Sequence, residues 1–232
     1  WVATIKGGGL NRFVKPNSFI RYMHDPANPL SISSNETWRL FEDSRGNIWI
    51  GTDAAGLNLF NPVTETFTRY QHDPNNPNSI GSNDIFALEE DLDGNLWIGT
   101  RDGLSILHKD KKTFTNLKSD DNDPSGLNDN TIHSLRRDDR GNMWLGMGKG
   151  GINFFDRQPP KFIHYKREIG NPNSLNDNNI LSILEDHTGN LWLGTDKGIN
   201  FWEKKNNQFI YFRHDDNNPR SIGSDQVAFI YE

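Results

Sequence analysis

Short apolar runs separated by polar turns recur along the chain in a fixed order. In one copy, an alternating run at residues 84–90 is followed by a turn sequence and by a continuous apolar run at residues 95–100. Shorter runs at residues 104–107 and 114–117 complete the unit. Runs of this kind predict β-strands, whereas a helix needs apolar residues at i, i+3 and i+4 over ten or more residues. The pattern therefore predicts an all-β fold with four strands in each unit.

The unit repeats every 47 or 48 residues with the pattern Asp-x-x-Gly-Asn-[Ile/Leu/Met]-Trp-[Ile/Leu]-Gly. Its tryptophans are Trp49, Trp97, Trp144 and Trp192, and Trp1 holds the same place in a copy without its front. Four antiparallel strands in about 48 residues are typical of a β-propeller blade, which packs both faces against neighbouring blades. We therefore predict a β-propeller of four-stranded antiparallel blades, with these tryptophans between blades and their indole N–H groups bonded to fixed partners.

The turn between the first two strands of each unit contains Asp, with Gly and Asn following close behind. We interpret it as a hairpin turn that the Asp side chain caps and in which the Gly takes a left-handed conformation. Asp91 and Asp93 also suggest a calcium loop, but the Gly comes too early and no Glu closes the loop. The sequence therefore predicts no metal site and no cofactor.

The two ends of the chain match different parts of one blade. Trp1 begins in a second strand, whereas residues 225–232 match a first strand. Four full blades and one divided between the termini favour either a five-bladed ring or a fragment of a larger, for example seven-bladed, propeller. Because Trp1 lies in mid-repeat, we expect a chain cut from a longer protein or one with unusual ends. The predicted single propeller domain, or part of one, has the blade pieces 1–34, 35–82, 83–129, 130–177, 178–224 and 225–232.

Composition and charge exclude several classes of protein. Only 33% of residues are hydrophobic, so the core must depend on 7 Trp, 14 Phe and 5 Tyr. The formal net charge is −6 without a basic block, which argues against a nucleic-acid partner. The absence of cysteine excludes disulfides and thiolate metal sites, and no apolar run approaches the ~18 residues that cross a bilayer.

Loop sequences make the repeat more specific. Residues 22–32 and 70–80 both read Tyr-x-His-Asp-Pro-x-Asn-Pro-x-Ser-Ile, followed by Asn-x-Ile-x-x-Leu-x-Glu-Asp-x-x-Gly-Asn-Leu-Trp-Ile-Gly-Thr and Gly-Leu-Asn-x-Phe. This combination resembles the two-component regulator propeller repeat, over essentially the whole chain. The chain departs from this repeat pattern in the loops at residues 117–130 and 165–178 and at Met147, where the other copies have Thr. These blades are where a specific ligand contact would be added, although neutral drift of loop sequences predicts the same departures.

The resemblance implies a function as well as a fold. This family supplies the extracytoplasmic sensor region of bacterial hybrid histidine kinases and of some diguanylate cyclases. It therefore implies a periplasmic location, as part of an inner-membrane protein whose anchor and output domain lie outside this chain.

The candidate ligand site follows from the predicted strand order. The second-to-third turns and the fourth-to-first loops share one face, here called the upper face, and binding residues commonly lie on such loops. Its turns carry the charged residues Lys6, Asp53, Arg101, Asp102, Lys149, Asp196 and Lys197. First-strand residues near the channel mouth add aromatic rings and donors suited to an oligosaccharide. The simpler explanation, charged loop tips of a soluble ring and ordinary strand residues, is favoured for each of them. The predicted ligand-binding residues are Trp38, Arg39, Phe86, His133, Arg101 and Lys149.

Catalytic signatures do not occur in the sequence. His24, His72 and His214 recur at equivalent loop positions, which indicates loop packing, and no nucleophile-elbow, zinc-protease or phosphate-loop motif is found. An enzyme would need inward carboxylates, of which Glu89 and Asp84 are the first to test, and we predict that this chain is not an enzyme.

The expected function is sensing of an oligosaccharide or related small molecule at the channel mouth. The alternative is a protein-interaction or dimerisation scaffold without a small-molecule site, with a homodimer as its simplest form. A deep pocket with convergent polar groups favours the first function, and a flat apolar patch on a blade side favours the second.

Overall fold

The structure is a computed structural model that describes residues 1–15, 17–120, 123, 125–157 and 160–231, with the backbone alone at residues 160–163. In this part of the chain every assigned element is a β-strand, and each strand is antiparallel to its neighbours. The strands belong to two compact units, Trp1–Leu117 and Lys118–Glu232, which are described in turn. The predicted all-β fold with propeller blades is confirmed, while the number of blades and the single domain stay predictions.

The first unit contains three sheets in which the strands follow chain order. The first sheet has three strands, β1 Val2–Ala3, β2 Leu10–Val14 and β3 Ser18–Tyr22. The second sheet has four, β4 Thr37–Glu42, β5 Ile48–Thr52, β6 Leu57–Asn61 and β7 Thr66–Tyr70. The third sheet has β8 Ile85–Glu90, β9 Leu96–Thr100, β10 Gly103–Leu107 and β11 Phe114–Leu117.

The second unit contains two four-stranded sheets of the same design. One has β12 Ile132–Arg137, β13 Met143–Met147, β14 Ile152–Arg157 and β15 Pro160–Tyr165. The other has β16 Ile180–Glu185, β17 Leu191–Thr195, β18 Gly198–Glu203 and β19 Gln208–Phe212.

The segment predicted as a first strand at residues 225–232 is not a strand over residues 225–231. Its backbone is held by two hydrogen bonds to the last sheet, from Val227 N to Thr195 O at 2.9 Å and from Gly198 N to Asp225 O at 2.6 Å. The segment thus lies beside the β17–β18 turn, but it has no ladder partner in its own unit and a strand requires one. Residue 232 lies outside the described residues.

The turn between the first two strands is the hairpin that the sequence predicts. Around Asp91, the carboxylate accepts the backbone N–H groups of Asp93 and Asn95, the Asn95 side-chain amide and the Trp97 indole N–H, at 2.8–3.0 Å. Gly94 has φ +79°, in the left-handed region that glycine adopts without strain. The corresponding Asp–indole hydrogen bonds, at 2.9, 3.3 and 2.9 Å, join Asp43 to Trp49, Asp138 to Trp144 and Asp186 to Trp192. The predicted fixed partners of the indoles are therefore confirmed.

The core of the first unit lies between its sheets. Trp49 is 2% exposed and packs with Ile85, Ile98 and Leu107 of the third sheet. Gly51 follows in the same strand, and a Cβ there would lie 2.6 Å from Ile85 Cγ2. The Trp-x-Gly pattern thus combines a large side chain that fills the space between sheets with a glycine that lets the next sheet approach.

The second unit repeats this packing between its two sheets. Trp144 is 3% exposed and clusters with Ile180, Leu193 and Trp202. Trp192 of the last sheet differs, because it is only partly buried. The described residues that follow that sheet in this unit, 213–231, contain no strand. Core packing of the repeated tryptophan thus requires a complete neighbouring sheet.

Replacing Asp91 with Ala tests the turn. Asp91→Ala leaves the indole N–H of the buried Trp97 without its acceptor, so we expect a loss of about 2–4 kcal/mol in the free energy of unfolding, measured by urea denaturation. Leu92→Ala in the same turn is the control, because Leu92 is 51% exposed and its loss should change stability by less than about 0.5 kcal/mol. Equal stability of the two variants would contradict the turn's structural role.

The same interaction predicts a pH dependence at Asp186. Burial alone would raise its pKa, but hydrogen bonds from Thr188, Trp192 and Asn190 outweigh burial and lower the pKa from 3.8 to about 2. A lowered pKa means that this carboxylate stabilises the fold above about pH 4 and loses that contribution as the pH falls towards 2. Between about pH 5 and pH 2, Asp186→Asn should therefore lose less urea resistance than the parent chain. Parallel losses in both proteins would count against this assignment.

Candidate functional site

Each four-stranded sheet has a β-bulge at the same place in its first strand. The pairing between first and second strands skips one residue, and the skipped residues are Trp38, Phe86, His133 and Leu181. A bulge residue is not part of the ladder, so its side chain is released from the alternation of the sheet faces. Three of the four belong to the predicted ligand-binding set. The bulge therefore explains why this position can differ between copies without disturbing the sheet.

In the first unit, two bulge residues pack on each other. The rings of Trp38 and Phe86 are stacked, with centroids 5.4 Å apart and planes inclined by 16°. Phe86 is only 6% exposed, whereas Trp38 is partly exposed. Trp38 therefore keeps part of its ring exposed to solvent, and the buried Phe86 packs against it.

Arg39 connects the same two bulges. Its Nε donates to the backbone oxygen of Phe86, and its Nη1 donates to that of Trp38 at 3.1 Å. Burial lowers the pKa of Arg39, because the charged guanidinium is largely removed from water. Two of its donor groups are thus committed to the backbone, which makes Arg39 a bridge between β4 and β8.

Arg101 and two carboxylates lie beside this aromatic pair. The Arg101 guanidinium carbon is 5.4 Å from the Phe86 ring centroid, and its Nε is 3.0 Å from Asp84 Oδ2. The Arg101 side chain remains 60% exposed. Burial raises the pKa of Asp53, as do a hydrogen bond and charge repulsion from Asp84, while Arg101 opposes this. The first unit thus combines a partly exposed indole, an exposed guanidinium and paired carboxylates.

The second unit contains the remaining predicted residues, His133 and Lys149. His133 is partly exposed on β12, and its Nε2 would lie 3.5 Å from a Cβ on Gly148. Lys149 follows in the same turn, where its backbone N–H donates to Asp129 at 2.7 Å and its side chain is exposed. His133 and Lys149 therefore lie at one turn, as Trp38, Arg39, Phe86 and Arg101 lie together in the first unit.

Other charged residues of the predicted upper turns are engaged by their own surroundings. Lys197 forms an ion pair with Asp177. Asp196 accepts hydrogen bonds from Asn179 at 2.5 Å and from Gln226 at 3.2 Å. These residues have local structural roles, which agrees with the simpler explanation of charged loop tips.

The repeated histidines have the loop-packing role that their spacing predicts. His24, His72 and His214 each place Nδ1 2.7–2.8 Å from a backbone oxygen eight residues later. Within the described residues, no group of three or more His, Asp or Glu side chains is arranged to hold a metal ion.

Two further observations bear on chemistry and location. Of the two carboxylates named above as the first to test in an enzyme, Asp84 lies directly before β8 and pairs with Arg101, and Glu89 lies within β8. No helix in the described part of the chain is long and apolar enough to cross a membrane.

The sequence did not reveal the bulge itself. Its signal was present, because the variable residues fall at one position in each copy between constant neighbours. Interpreting that signal required the strand pairing, since a skipped residue leaves no mark in the apolar pattern.

Comparison with known families identifies the repeat. A family model described as two component regulator propeller matches residues 31–54, 79–102, 126–149 and 174–197. Each match contains the bulged first strand, the Asp–Gly–Asn turn and the second strand. No curated protein matches the sequence.

Solved structures show the same fold. The extracellular domain of a protein described as a hybrid two component system from B. thetaiotaomicron aligns with TM-score 0.76 and 22% identity, over 98% of this chain and 35% of that one. A streptogramin B lyase aligns with TM-score 0.62 and 14% identity, over 92% and 64%. An inactive virginiamycin B lyase from Staphylococcus aureus with quinupristin aligns with TM-score 0.57 and 14% identity, over 77% and 56%. The chain spans about a third of the first of these structures, and the likeness shows the propeller fold alone.

Replacing Arg39 tests its role as a bridge. Arg39→Ala removes donors to two backbone oxygens together with buried side-chain packing, so we expect a loss of about 2 kcal/mol in urea denaturation. Arg101→Ala is the matched control, because an exposed ion pair contributes less than about 1 kcal/mol. A larger loss for Arg101→Ala than for Arg39→Ala would show that the assignment is wrong.

Proposed function

Because this chain is built from two-component regulator propeller repeats, we propose that it is a ligand-sensing part of a bacterial two-component or hybrid sensor protein. On this proposal the propeller lies in the periplasm, as part of an inner-membrane protein. The kinase or cyclase that carries the output, and the membrane anchor, belong to other parts of that protein.

The observation that supports ligand binding most strongly is the recurrent bulge. A sensor needs a position whose side chain can be suited to the ligand while the scaffold stays constant, and the bulge is such a position. Its occupants differ in chemistry, from the aromatic Trp38 and Phe86 to the titratable His133 and the aliphatic Leu181. Such variation on a constant ladder is expected where side chains contact a ligand.

The ligand class that we propose is an oligosaccharide or a related small molecule. The partly exposed ring of Trp38 suits packing against sugar CH groups, and the exposed Arg101 suits hydrogen bonds to hydroxyl or carboxylate oxygens. On this proposal Phe86 positions the Trp38 ring, and Arg39 positions the backbone at both bulges. The second unit carries its own polar groups at the corresponding bulge and turn, those of His133 and Lys149.

Signalling places one further requirement on this site. A ligand shifts the equilibrium between two states only if it binds one of them more tightly. Arg39 links the bulges of β4 and β8, the first strands of two neighbouring sheets, so a ligand that displaces Trp38 also changes the Arg39 contact with Phe86. This gives the proposed site a mechanical connection between two sheets of the first unit.

A protein-interaction scaffold is the second candidate, and one observation favours it. Phe13 and Phe19 of the first sheet are 50% and 56% exposed, with ring centroids 5.5 Å apart. Ile20 beside them is 37% exposed. Exposed apolar side chains in a cluster mark interaction surfaces, so a homodimer formed through this sheet is the alternative.

A thermal-shift screen tests the sensing proposal. We expect neutral or acidic oligosaccharides at about 100 times their Kd to stabilise the chain by about 2.7 kcal/mol, which raises its Tm by roughly 5–10 °C. The Trp38→Ala/His133→Ala double variant should lose this shift. Leu181→Ala is the matched control, because it changes the same bulge position without removing an aromatic or polar group.

Two outcomes would decide against this proposal. One is a flat response from a chain that melts cooperatively. The other is an equal shift in the double variant and in the Leu181→Ala control. Concentration-dependent dimerisation that Phe13→Ser abolishes would then favour the scaffold.

A further inference from the structure

The lower end of each sheet, defined here as the end that carries the Asp–Gly–Asn turns, shows a difference between the two units. In the first unit this end is closed between the second and third sheets. The backbone N–H and the hydroxyl of Ser44 donate to the Glu90 carboxylate of the next sheet at 2.7 and 3.0 Å. Arg45 covers Gly94, where a Cβ would lie 3.1 Å from its Nη2. The remaining cavity is about 10 Å³, enough for about one water molecule.

The equivalent junction in the second unit is open. Asp139 stands where the first unit has Ser44, and Glu185 stands where it has Glu90. Two carboxylates cannot form the hydroxyl–carboxylate contact, and they repel each other. Glu185 instead accepts a hydrogen bond from Lys204 Nζ at 2.8 Å. A cleft of about 830 Å³ lies between the two sheets, within the range of small-molecule sites.

Aromatic rings form the wall of this cleft. The partly exposed rings are those of Phe154 and Tyr165, and the buried rings of Trp144 and Trp202 lie behind them. Neighbouring ring centroids are 4.3 Å apart for Trp144 and Phe154, and 4.7 Å apart for Tyr165 and Trp202. Phe154 and Trp202 occupy the strand positions of Leu59 and Leu107 in the first unit, so the wall is more aromatic where the junction is open.

The polar groups of the cleft favour an anion over a neutral sugar. The side-chain amides of Asn142 and Asn190 each donate one hydrogen bond and accept another within the protein, so neither is fully available to ligand hydroxyl groups. Arg140 and Lys205 line the cleft with exposed side chains. Glu185 is paired with Lys204, and the Asp138 carboxylate is bound by its own turn and by the Trp144 indole, which leaves Asp139 beside these two cations.

We propose that this cleft binds a small planar aromatic anion of the aryl carboxylate class. The apolar ring packs against the aromatic wall, and the carboxylate pairs with Arg140 and Lys205. The cleft shares no residue with the bulge site, so this inference stands or falls independently of oligosaccharide sensing.

Calorimetric titration of the whole chain with 2-naphthoate tests the ligand class. We expect saturable binding at one site per chain, with 2-naphthamide, its neutral counterpart, about tenfold weaker. An Arg140→Gln/Lys205→Gln variant should bind 2-naphthoate about tenfold more weakly and 2-naphthamide equally well. No saturable heat at millimolar 2-naphthoate from a cooperatively melting chain overturns the proposal, as does equal binding of 2-naphthoate by the double variant.

A second pair of variants tests the cleft itself. Asp139→Ser restores the hydroxyl that closes the first unit, so we expect at least a tenfold loss of 2-naphthoate affinity. Removing the negative charge alone would strengthen anion binding, and Asp139→Ala measures that effect as the control. Unchanged or stronger binding by Asp139→Ser overturns the assignment of the site. A neutral disaccharide that binds the parent chain and is lost in Asp139→Ser overturns the ligand class.

Discussion

The hydrogen bond from a turn carboxylate to a tryptophan indole is the contact on which the blades of this chain depend. One carboxylate, such as that of Asp43, binds the backbone of its own turn and the indole N–H of Trp49 on the following strand. Burial opposes its ionisation, but these hydrogen bonds outweigh burial and lower the pKa of Asp43. The turn and the core are thus held by a single charged group, so neither can change without the other.

This arrangement leaves little freedom for residue substitution on the blade faces and more at the strand ends. With its N–H bonded, Trp49 has a fixed orientation against the next sheet, and Gly51 lets Ile85 approach closely. Side chains outside the ladder are not constrained in this way. They include the bulge residues, such as Trp38, and the second residue of each turn, such as Ser44. Chemical differences between the copies accordingly fall at these two places.

The contrast between local and distant contacts explains how much the sequence predicts. Strand β11 is found at the predicted residues 114–117, and the turns and indole partners also follow, because all of them rest on contacts within one repeat. The bulge at Phe86 and its burial under Trp38 depend on strand pairing and on the neighbouring sheet. Residues 225–231 likewise carry the first-strand pattern but form no strand, and the pattern within one repeat does not predict that outcome. A periodic pattern therefore predicts each blade well and the contacts between blades poorly.

Contacts between blades are nevertheless where the copies acquire different properties. Ser44 and Glu90 lie 46 residues apart, almost one repeat, so exchanging Ser for Asp at one position changes a junction rather than a blade. The Asp–indole hydrogen bond survives that exchange in the second unit, where Trp144 still pairs with Asp138. The Asp–indole hydrogen bond thus preserves the fold, while the next residue in the turn, Ser44 or Asp139, affects whether the space between two sheets is filled or open. A repeat protein built in this way can change the junction between two sheets without losing its blades, because the interaction that holds the blade together is not the one that closes the gap.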